Sequence, residues 1–535
     1  MERRKNPAWS FVPRALCWLG FLVSLSAQEA AAQAASPADR AFERFWKAGN
    51  PGAATKAVGA IVETGIDFDA AYARLRKDRP FPAQPRTGEL SLTSLLLDGR
   101  TRPYTVTIPE DRREGEELPV RFQLHGGVNR PADPEEGAPN RSRRRSLEGM
   151  RHIVVRPTGD AGAPWWSQSQ AENLAAILDR LKRSLRVDNN RVYLTGVSDG
   201  GTGAYYMAAR DTTPWSCFLP LNGAMRVLSN PSVGAEGALY IRNLANKPFY
   251  IVNGALDPLY PVTSILPMID LYRRAGVPLV FRPQEDAGHD TRWWPKLSSE
   301  FEAFVRDHPR NPLPDRIVWQ TDRADRANRA HWLVIDALGS AAGESTFDDF
   351  NSAPDGMPRD FGIRVDPAQP TVARMAQVVK GSDAERLGLQ KDDLALEIGG
   401  AAVSSTDELY QGLGRYVMGT PLRMVVERKG RRQPLETTIA AKGPEAVFAL
   451  PKTSGRVELE KNGNAVEAKS RGVRQFTLLL SPEHFDFDRP VRVSVNGRLA
   501  FLGTVKKNLK TLLTWAARDN DRTMLFGAEL KIALP

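Results

Sequence analysis

The sequence is poor in cysteine. Cys17 and Cys217 are the only two among 535 residues, and Cys17 lies in a segment that we expect to be removed. A single remaining thiol cannot form an intramolecular disulfide, so a disulfide-stapled fold is excluded. The sequence also lacks a His-Glu-x-x-His motif, an acidic calcium loop and a glycine-rich phosphate loop ahead of a helix. We therefore expect no bound metal and no cofactor.

Long hydrophobic runs are scarce as well. A run over residues 15–25 follows a basic stretch with Arg3, Arg4 and Lys5, and small residues continue to position 34. This order is typical of a secretory signal peptide. The alternative, an uncleaved membrane anchor, is disfavoured because the run is too short to span a bilayer comfortably. We predict a signal peptide at 1–34, no stable membrane span after its cleavage, and a secreted or periplasmic protein.

Charge is only slightly unbalanced. The 73 Lys+Arg residues exceed the 63 Asp+Glu residues by a formal net charge of +10. The basic residues are spread along the chain and are not interleaved with aromatic residues, so we expect no nucleic-acid partner. Hydrophobic residues make up 41% of the chain and charged residues 25%, which is typical of soluble globular proteins. The length predicts about three or four domains.

The pattern of strands and helices changes along the chain. An alternation of the two over about two hundred residues predicts a mostly parallel sheet with helices on both faces, and thus an α/β fold. A proline-rich break at residues 308–314 ends it. Strand-like runs then flank a unit of different pattern. The strand-like runs on the two sides of this unit form either two separate pieces or one antiparallel sandwich that the unit interrupts. We favour the sandwich, because two strands cannot bury a core.

These patterns predict a division of the chain into segments. In chain order they are a signal peptide at 1–34, a helical segment at 35–85, an α/β domain at 86–309, a β-sandwich-like domain at 312–345 and 446–535, and a unit at 348–442 inserted into that sandwich-like domain.

The clearest chemical motif is Gly196-Val-Ser198-Asp-Gly200. It follows a strand-like run and precedes a helix that opens at Thr202. The spacing places the serine on a strained turn that lifts its hydroxyl above the sheet, while the glycines let strand and helix pass closely. Ser198 is therefore the predicted nucleophile.

A serine hydroxyl needs a base, and the base needs an acid to orient it. His289 follows a strand that ends near Pro283, so we expect it on a loop at the carboxyl edge of the sheet. Asp257 follows the apolar run 249–253 and falls between serine and histidine in the chain. An aspartate before proline is also a common turn former. The order and the strand-end positions favour a triad of Ser198, Asp257 and His289.

Two further groups are candidates for substrate contact. Gly126 and Gly127 follow a predicted strand, so their backbone N–H groups, with that of Asp199, form a predicted oxyanion hole. His125 precedes them and is predicted to position the loop beside the substrate. Two adjacent tryptophans sit on a later loop near the same edge, where they either stack on a sugar or aromatic acyl group or are buried in the loop. These residues are Trp165 and Trp166.

The triad order, with His125-Gly126-Gly127 ahead of it, resembles the α/β-hydrolase superfamily over about residues 90–307. The stretch 187–201 is similar to secreted feruloyl esterases and polyhydroxybutyrate depolymerases, and to prolyl-oligopeptidase-like catalytic domains. The resemblance implies an α/β-hydrolase domain and a serine hydrolase that forms an acyl-enzyme on Ser198. Its substrate would be a carboxylic ester or, in the alternative, a peptide.

The inserted unit resembles a PDZ (α+β) domain. Residues 360–365 look like its ligand loop and first strand, and residues 379–400 match the most regular stretch of bacterial PDZ domains. The resemblance implies that a peptide C-terminus or an added strand binds at Phe361, Gly362 and Ile363. Asp360 stands where the usual first glycine would be. An inserted PDZ domain that only braces its neighbours is the alternative.

Three functions therefore compete. We favour a secreted serine esterase. A peptidase of prolyl-oligopeptidase type is the second hypothesis, although a propeller of about 40–50 residues per blade cannot fit ahead of residue 90. An inactive hydrolase scaffold that binds partners through its PDZ domain is the third, and the complete set of triad residue types argues against it.

Overall fold

A computed structural model of the chain describes most of its length. The described residues are 35–81, 87–96, 99–128, 151–340, 344–353, 361–365, 372–414, 416, 419–440 and 445–535. The predicted signal peptide and Asp360 of the predicted PDZ loop lie outside them. In this part of the chain, no helix is long and apolar enough to cross a membrane.

Three short helices open the described chain, as the helical pattern predicts. A polar side chain caps each one: Ser36, Asn50 and Asp67 each accept a hydrogen bond from a backbone N–H of the first turn. The apolar faces of these helices are buried. The helices are α1 (Pro37–Lys47), α2 (Pro51–Val62) and α3 (Phe68–Lys77).

An eight-stranded sheet forms the centre of the α/β region. Its order is β1-β2-β4-β3-β5-β6-β7-β8, with β3 to β8 parallel and β1 and β2 antiparallel at one edge. The strands are β1 (Gly88–Leu95), β2 (Thr101–Ile108), β3 (Leu118–Leu124), β4 (Ile153–Pro157), β5 (Val187–Val197), β6 (Phe218–Leu221), β7 (Phe249–Gly254) and β8 (Leu279–Gln284).

Helices cover both faces of this sheet. One buried core contains apolar residues of α4, α5 and α6, and a second contains those of α7. The predicted mixed α/β class with a large central sheet is therefore confirmed. The helices are α4 (Gln168–Ser184), α5 (Asp199–Arg210), α6 (Val262–Arg274) and α7 (Trp294–Asp307).

Three strands follow the α/β region and precede the inserted unit: β9 (Arg316–Thr321), β10 (Arg329–Ala330) and β11 (Leu333–Leu338). The unit has its own buried core and a four-stranded sheet of order β16-β15-β17-β18. The elements from residue 352 to residue 446 are β12 (Ser352–Ala353), β13 (Ile363–Val365), β14 (Met375–Val378), α8 (Asp383–Leu387), β15 (Leu394–Ile398), β16 (Ala401–Ala402), α9 (Thr406–Gly414), β17 (Pro421–Arg428), β18 (Arg431–Thr438) and β19 (Glu445–Ala446).

Strands on the two sides of the inserted unit pair with each other. β9 joins β20 in a five-stranded sheet, and β11 joins β22 in a four-stranded sheet. One apolar core contains residues of both sheets. The division into domains stays a prediction. The last elements are β20 (Gly455–Asn462), β21 (Ala465–Arg471), β22 (Val473–Leu480), β23 (Val491–Val495), β24 (Arg498–Gly503), α10 (Leu509–Asp519) and β25 (Ala528–Ala533).

The sequence pattern of residues 446–535 predicts strands alone, but the structure also contains the helix α10 in this segment. It packs against α2, and the two helices contribute to the same buried core. The N-terminal helices therefore dock on the C-terminal end of the chain.

A buried ion cluster joins distant parts of the sequence at this junction. Asp521 Oδ2 lies 2.7 Å from Arg310 Nη2 and 3.3 Å from Lys182 Nζ, and all three side chains are buried. Burial alone would raise the pKa of Asp521, but the attraction of Arg310 and Lys182 outweighs it and holds the pKa below its ordinary value.

We expect Asp521→Asn to lower the free energy of unfolding at pH 7 by about 3–5 kcal/mol, because two buried cations lose their counter-charge. Denaturant unfolding measures this change. Since the folded-state pKa of Asp521 is lowered, its contribution is complete above the ordinary pKa of about 3.9 and is lost as the pH falls below it. The wild type should therefore lose more stability on acidification than the variant.

Asp325→Asn is the matched control, because Asp325 forms an exposed ion pair with Arg323. Exposed pairs contribute little, so this change should leave the unfolding midpoint nearly unchanged. If the two substitutions lowered the free energy of unfolding equally, the buried cluster would contribute no more to stability than an exposed ion pair.

Candidate active site

The structure brings the three predicted triad residues together at the carboxyl edge of the sheet. Ser198 directly follows β5, Asp257 follows β7, and His289 follows β8. His289 Nε2 lies 2.8 Å from Ser198 Oγ, and His289 Nδ1 lies 2.7 Å from Asp257 Oδ2. In this arrangement the serine hydroxyl donates to Nε2, and Nδ1–H donates to the aspartate.

Ser198 lies on a strained turn. Its φ of 57° and ψ of −120° are rare for a residue with a side chain. Close packing enforces the turn: a Cβ added to Gly200 would lie 2.3 Å from the carbonyl oxygen of Leu124. Only glycine fits there, so the second glycine of the motif is needed for the helix to pass the neighbouring strand.

Asp257 is held rigidly. Its Oδ1 accepts hydrogen bonds from the backbone N–H groups of Leu259 (2.8 Å) and Tyr260 (3.0 Å), while Oδ2 faces His289. The side chain is fully buried, whereas that of His289 is 23% exposed. Each oxygen of the carboxylate thus has a defined partner, and the imidazole remains open to a ligand.

The predicted oxyanion donors lie beside Ser198. The Cβ position of Gly126 would be 3.5 Å from Ser198 Oγ, which places the backbone of this glycine against the serine. Asp199 is the first residue of α5, so its N–H has no acceptor within the helix. The positive end of the α5 dipole also lies next to Ser198.

The side chain of Asp199 adds a contact that the motif alone did not indicate. Its Oδ2 accepts a hydrogen bond from the backbone N–H of Val128 at 2.9 Å. Asp199 is therefore bonded to the loop that carries Gly126 and Gly127, and the two predicted sources of oxyanion donors are held together.

The side chain of His125 is held by hydrogen bonds to the backbone. Its Nδ1–H donates to the carbonyl of Gly126 at 2.8 Å, and its Nε2 accepts from the N–H of Gly159 at 3.0 Å. Both ring nitrogens are thus bonded to the backbone. This geometry fits the expected positioning of the loop, and the place of His125 beside the substrate stays a prediction.

Of the two alternatives for Trp165 and Trp166, the structure shows burial in the loop and not stacking on a substrate. Both side chains are fully buried. Their indole N–H groups donate to the carbonyls of His125 and Val233, respectively. No ring face is left for a ligand, and Trp165 instead packs edge-on against His125, with the ring centroids 5.1 Å apart.

Asn222 belongs to the site, although none of the sequence motifs indicates it. It directly follows β6, is fully buried and has a φ of 47°. Its Nδ2 donates to the carbonyl of Asp290 at 2.7 Å, one residue beyond His289. The signal was its position at the end of a strand at the carboxyl edge, the same signal that identified the other three.

Tyr260 borders the imidazole. Its ring meets that of His289 edge-on, with 5.7 Å between centroids. Burial raises the pKa of its hydroxyl above the ordinary value, and the negative charges of Asp199 and Asp257 add to the effect. The phenol is therefore neutral across the working pH range of most enzymes.

The predicted PDZ ligand loop belongs to a different core. Phe361 and Gly362 precede β13, and their carbonyls accept hydrogen bonds from Ala384 and Val379. Ile363 is buried in the core of the inserted unit, and Phe361 packs against it. The ligand role of these residues stays a prediction.

Comparison with known proteins gives remote likenesses. No protein-family model matches the chain. It is 27% identical over 108 residues to a bifunctional acetylxylan esterase/xylanase from Neocallimastix patriciarum. That match covers 20% of this chain and only 16% of the relative, so the chain spans a small part of that protein's length.

The structural neighbours include esterases and peptidases. A thermostable esterase has a TM-score of 0.33 at 17% identity, covering 42% of this chain and 63% of that one. The S-formylglutathione hydrolase of Staphylococcus aureus has a TM-score of 0.32 at 20% identity, covering 42% and 99%. An acylaminoacyl peptidase of Pyrococcus horikoshii has a TM-score of 0.32 at 14% identity, covering 46% and 44%.

Proposed function

We propose that this chain is a serine hydrolase that cleaves carboxylic esters through an acyl-enzyme on Ser198. The observation that carries the proposal is the pair of short contacts from serine to histidine to aspartate, 2.8 Å and 2.7 Å, at the carboxyl edge of a parallel sheet. This is the geometry that a general base and its orienting acid require.

The first half of the reaction forms the acyl-enzyme. Ser198 Oγ attacks the ester carbonyl carbon while His289 Nε2 takes the hydroxyl proton. The negative oxygen of the tetrahedral intermediate is stabilised by the N–H of Asp199 and of Gly126 or Gly127, each such donor being worth about 3 kcal/mol. The intermediate then collapses, and the alcohol leaves with the proton from His289.

The second half releases the acid. His289 takes a proton from water, the hydroxide attacks the acyl carbon, and Ser198 regains its proton as the carboxylic acid departs. Asp257 stays ionised and stabilises the imidazolium in both halves. The turn around its carboxylate and the contact of Asn222 with the His289 loop keep these groups in line.

The ester assignment is tested by comparing two substrate classes. We expect the purified mature chain to hydrolyse p-nitrophenyl acyl esters with a kcat/KM well above that for aminoacyl p-nitroanilides. A preference for the amides would identify a peptidase instead. No turnover of either class, together with no labelling by a fluorophosphonate, would leave only the inactive scaffold.

We propose two accompanying properties. Residues 1–34 direct export and are removed, so the protein is secreted or periplasmic; their charge and hydropathy order supports this. Residues 348–442 act as a PDZ domain that holds a peptide C-terminus or strand. The separate core of that unit and the positive φ of Gly362, 85°, support this assignment.

The position of the base depends on close packing behind it. A Cβ added to Gly254, at the end of β7, would lie 2.4 Å from the carbonyl oxygens of both Ala287 and Gly288. We expect Gly254→Ala to push the loop outward and lower kcat for p-nitrophenyl esters about 10²-fold, since a shift of about 1 Å has that effect.

Gly59→Ala in α2 is the control, because nothing lies within 4 Å of the added Cβ. This variant should keep wild-type kcat. Full activity of Gly254→Ala would show that the packing of this loop does not position His289.

A further inference from the structure

Exposed large apolar side chains are concentrated in the segment that carries Asp257. Among the described residues, seven large hydrophobic side chains are exposed, and three of them fall within the eleven residues 256–266: Leu256 (39%), Leu259 (54%) and Leu266 (47%). We call these three the leucine patch. Three exposed large apolar side chains within one short segment indicate a surface that another molecule covers.

Two residues of the leucine patch are hydrogen-bonded through their backbone to the proposed triad residue Asp257 or to the loop that carries His289. Leu256 and Leu259 flank Asp257, and the N–H of Leu259 donates to its carboxylate. The N–H of Leu256 donates to the carbonyl of Ala287, in the loop that carries His289. Leu266 follows in α6, a helix that begins five residues after Asp257.

The ring of Tyr260 joins this surface to the reacting groups. It is next in sequence to Leu259 and contacts the imidazole of His289 edge-on. Tyr260 also packs against the main core of the α/β region, which restricts the movement of its side chain. The ring of Tyr260 thus lies at the imidazole, and the exposed Leu259 and Leu256 lie on the same loop, on either side of Asp257.

We propose that the leucine patch and Tyr260 form the binding subsite for an apolar acyl group longer than acetyl. This inference rests on the proposed esterase function and adds a substrate class to it. When an acyl chain covers these leucines, apolar surface of both partners leaves water, and the chain is fixed as Ser198 attacks.

The test compares p-nitrophenyl octanoate with p-nitrophenyl acetate. We expect the wild type to prefer octanoate in kcat/KM. Leu259→Ser and Leu256→Ser should each lower the octanoate-to-acetate ratio about tenfold, because the removed contact serves only the longer chain. Both positions are exposed, so the variants should fold.

Leu502→Ser is the matched control. Leu502 is 61% exposed on β24, in the five-stranded sheet outside the α/β region. Its substitution should leave the ratio at the wild-type value, and any common effect of replacing an exposed leucine would appear here.

The outcomes separate the two proposals. A wild type that hydrolyses both esters, with an unchanged ratio in Leu259→Ser and Leu256→Ser, overturns the subsite and leaves the esterase intact. A wild type without ester hydrolysis overturns both. If the two variants instead change the sedimentation coefficient while the ratio stays constant, the patch joins two copies of the chain, and the subsite is again overturned.

Discussion

Ser198→Ala is expected to lower kcat for p-nitrophenyl ester hydrolysis roughly 10⁴- to 10⁶-fold. The substitution removes only the oxygen that His289 Nε2 contacts at 2.8 Å. Without it no acyl-enzyme forms, and the remaining activity comes from the backbone donors and bound water. Steady-state kinetics measures the loss.

The fold should not change with this variant. Alanine accepts the same backbone conformation as serine at this turn, so the thermal unfolding midpoint should stay near that of the wild type. A decrease in kcat of less than tenfold in a folded variant would show that another group is the nucleophile.

Asp257→Asn is expected to lower kcat about 10⁴-fold through the tautomer of His289. The amide oxygen can replace Oδ1 and accept from the N–H groups of Leu259 and Tyr260. The amide NH₂ then faces Nδ1 and must donate to it, so the ring proton moves to Nε2. In that tautomer His289 cannot accept the proton of Ser198.

The control is Asp270→Asn, which changes another aspartate that lies between the serine and the histidine in the chain. Asp270 is exposed on α6 and pairs with Arg274 at the surface. Kinetics of this variant should match the wild type within about twofold, because an exposed pair carries little energy. If Asp257→Asn kept wild-type kcat, the aspartate would have no part in orienting the base.

The positions of the three triad residues could be predicted because each obeys a local rule. Ser198 sits in a motif with a steric reason, and Asp257 and His289 each follow an apolar run that forms a strand. Parallel strands bring their carboxyl ends to one edge, so residues far apart in sequence meet there without any knowledge of side-chain packing. Their chemical roles stay proposals.

The supporting contacts could not be predicted in the same way. The bond from Val128 to Asp199 and the bond from Asn222 to the His289 loop depend on the exact placement of loops. The buried cluster of Asp521 joins residues up to 339 positions apart, and no local pattern pairs them. Such contacts are properties of the packed fold.

The sequence left two alternatives for the tryptophans, because apolar rings on a loop after a strand either contact a substrate or are stabilised by burial beneath the loop. The helix α10 was missed although Leu509, Leu512, Leu513 and Ala516 follow helical spacing. The strand-like runs on either side of this segment favour a strand prediction for it.

The most direct test of the central claim is the site of covalent labelling. The mature wild-type protein is treated with a fluorophosphonate, digested, and the modified residue is located by mass spectrometry. We expect one adduct, on Ser198, that forms quickly in the wild type and is absent from Ser198→Ala. An unlabelled wild type, or an adduct on a different residue, would contradict it.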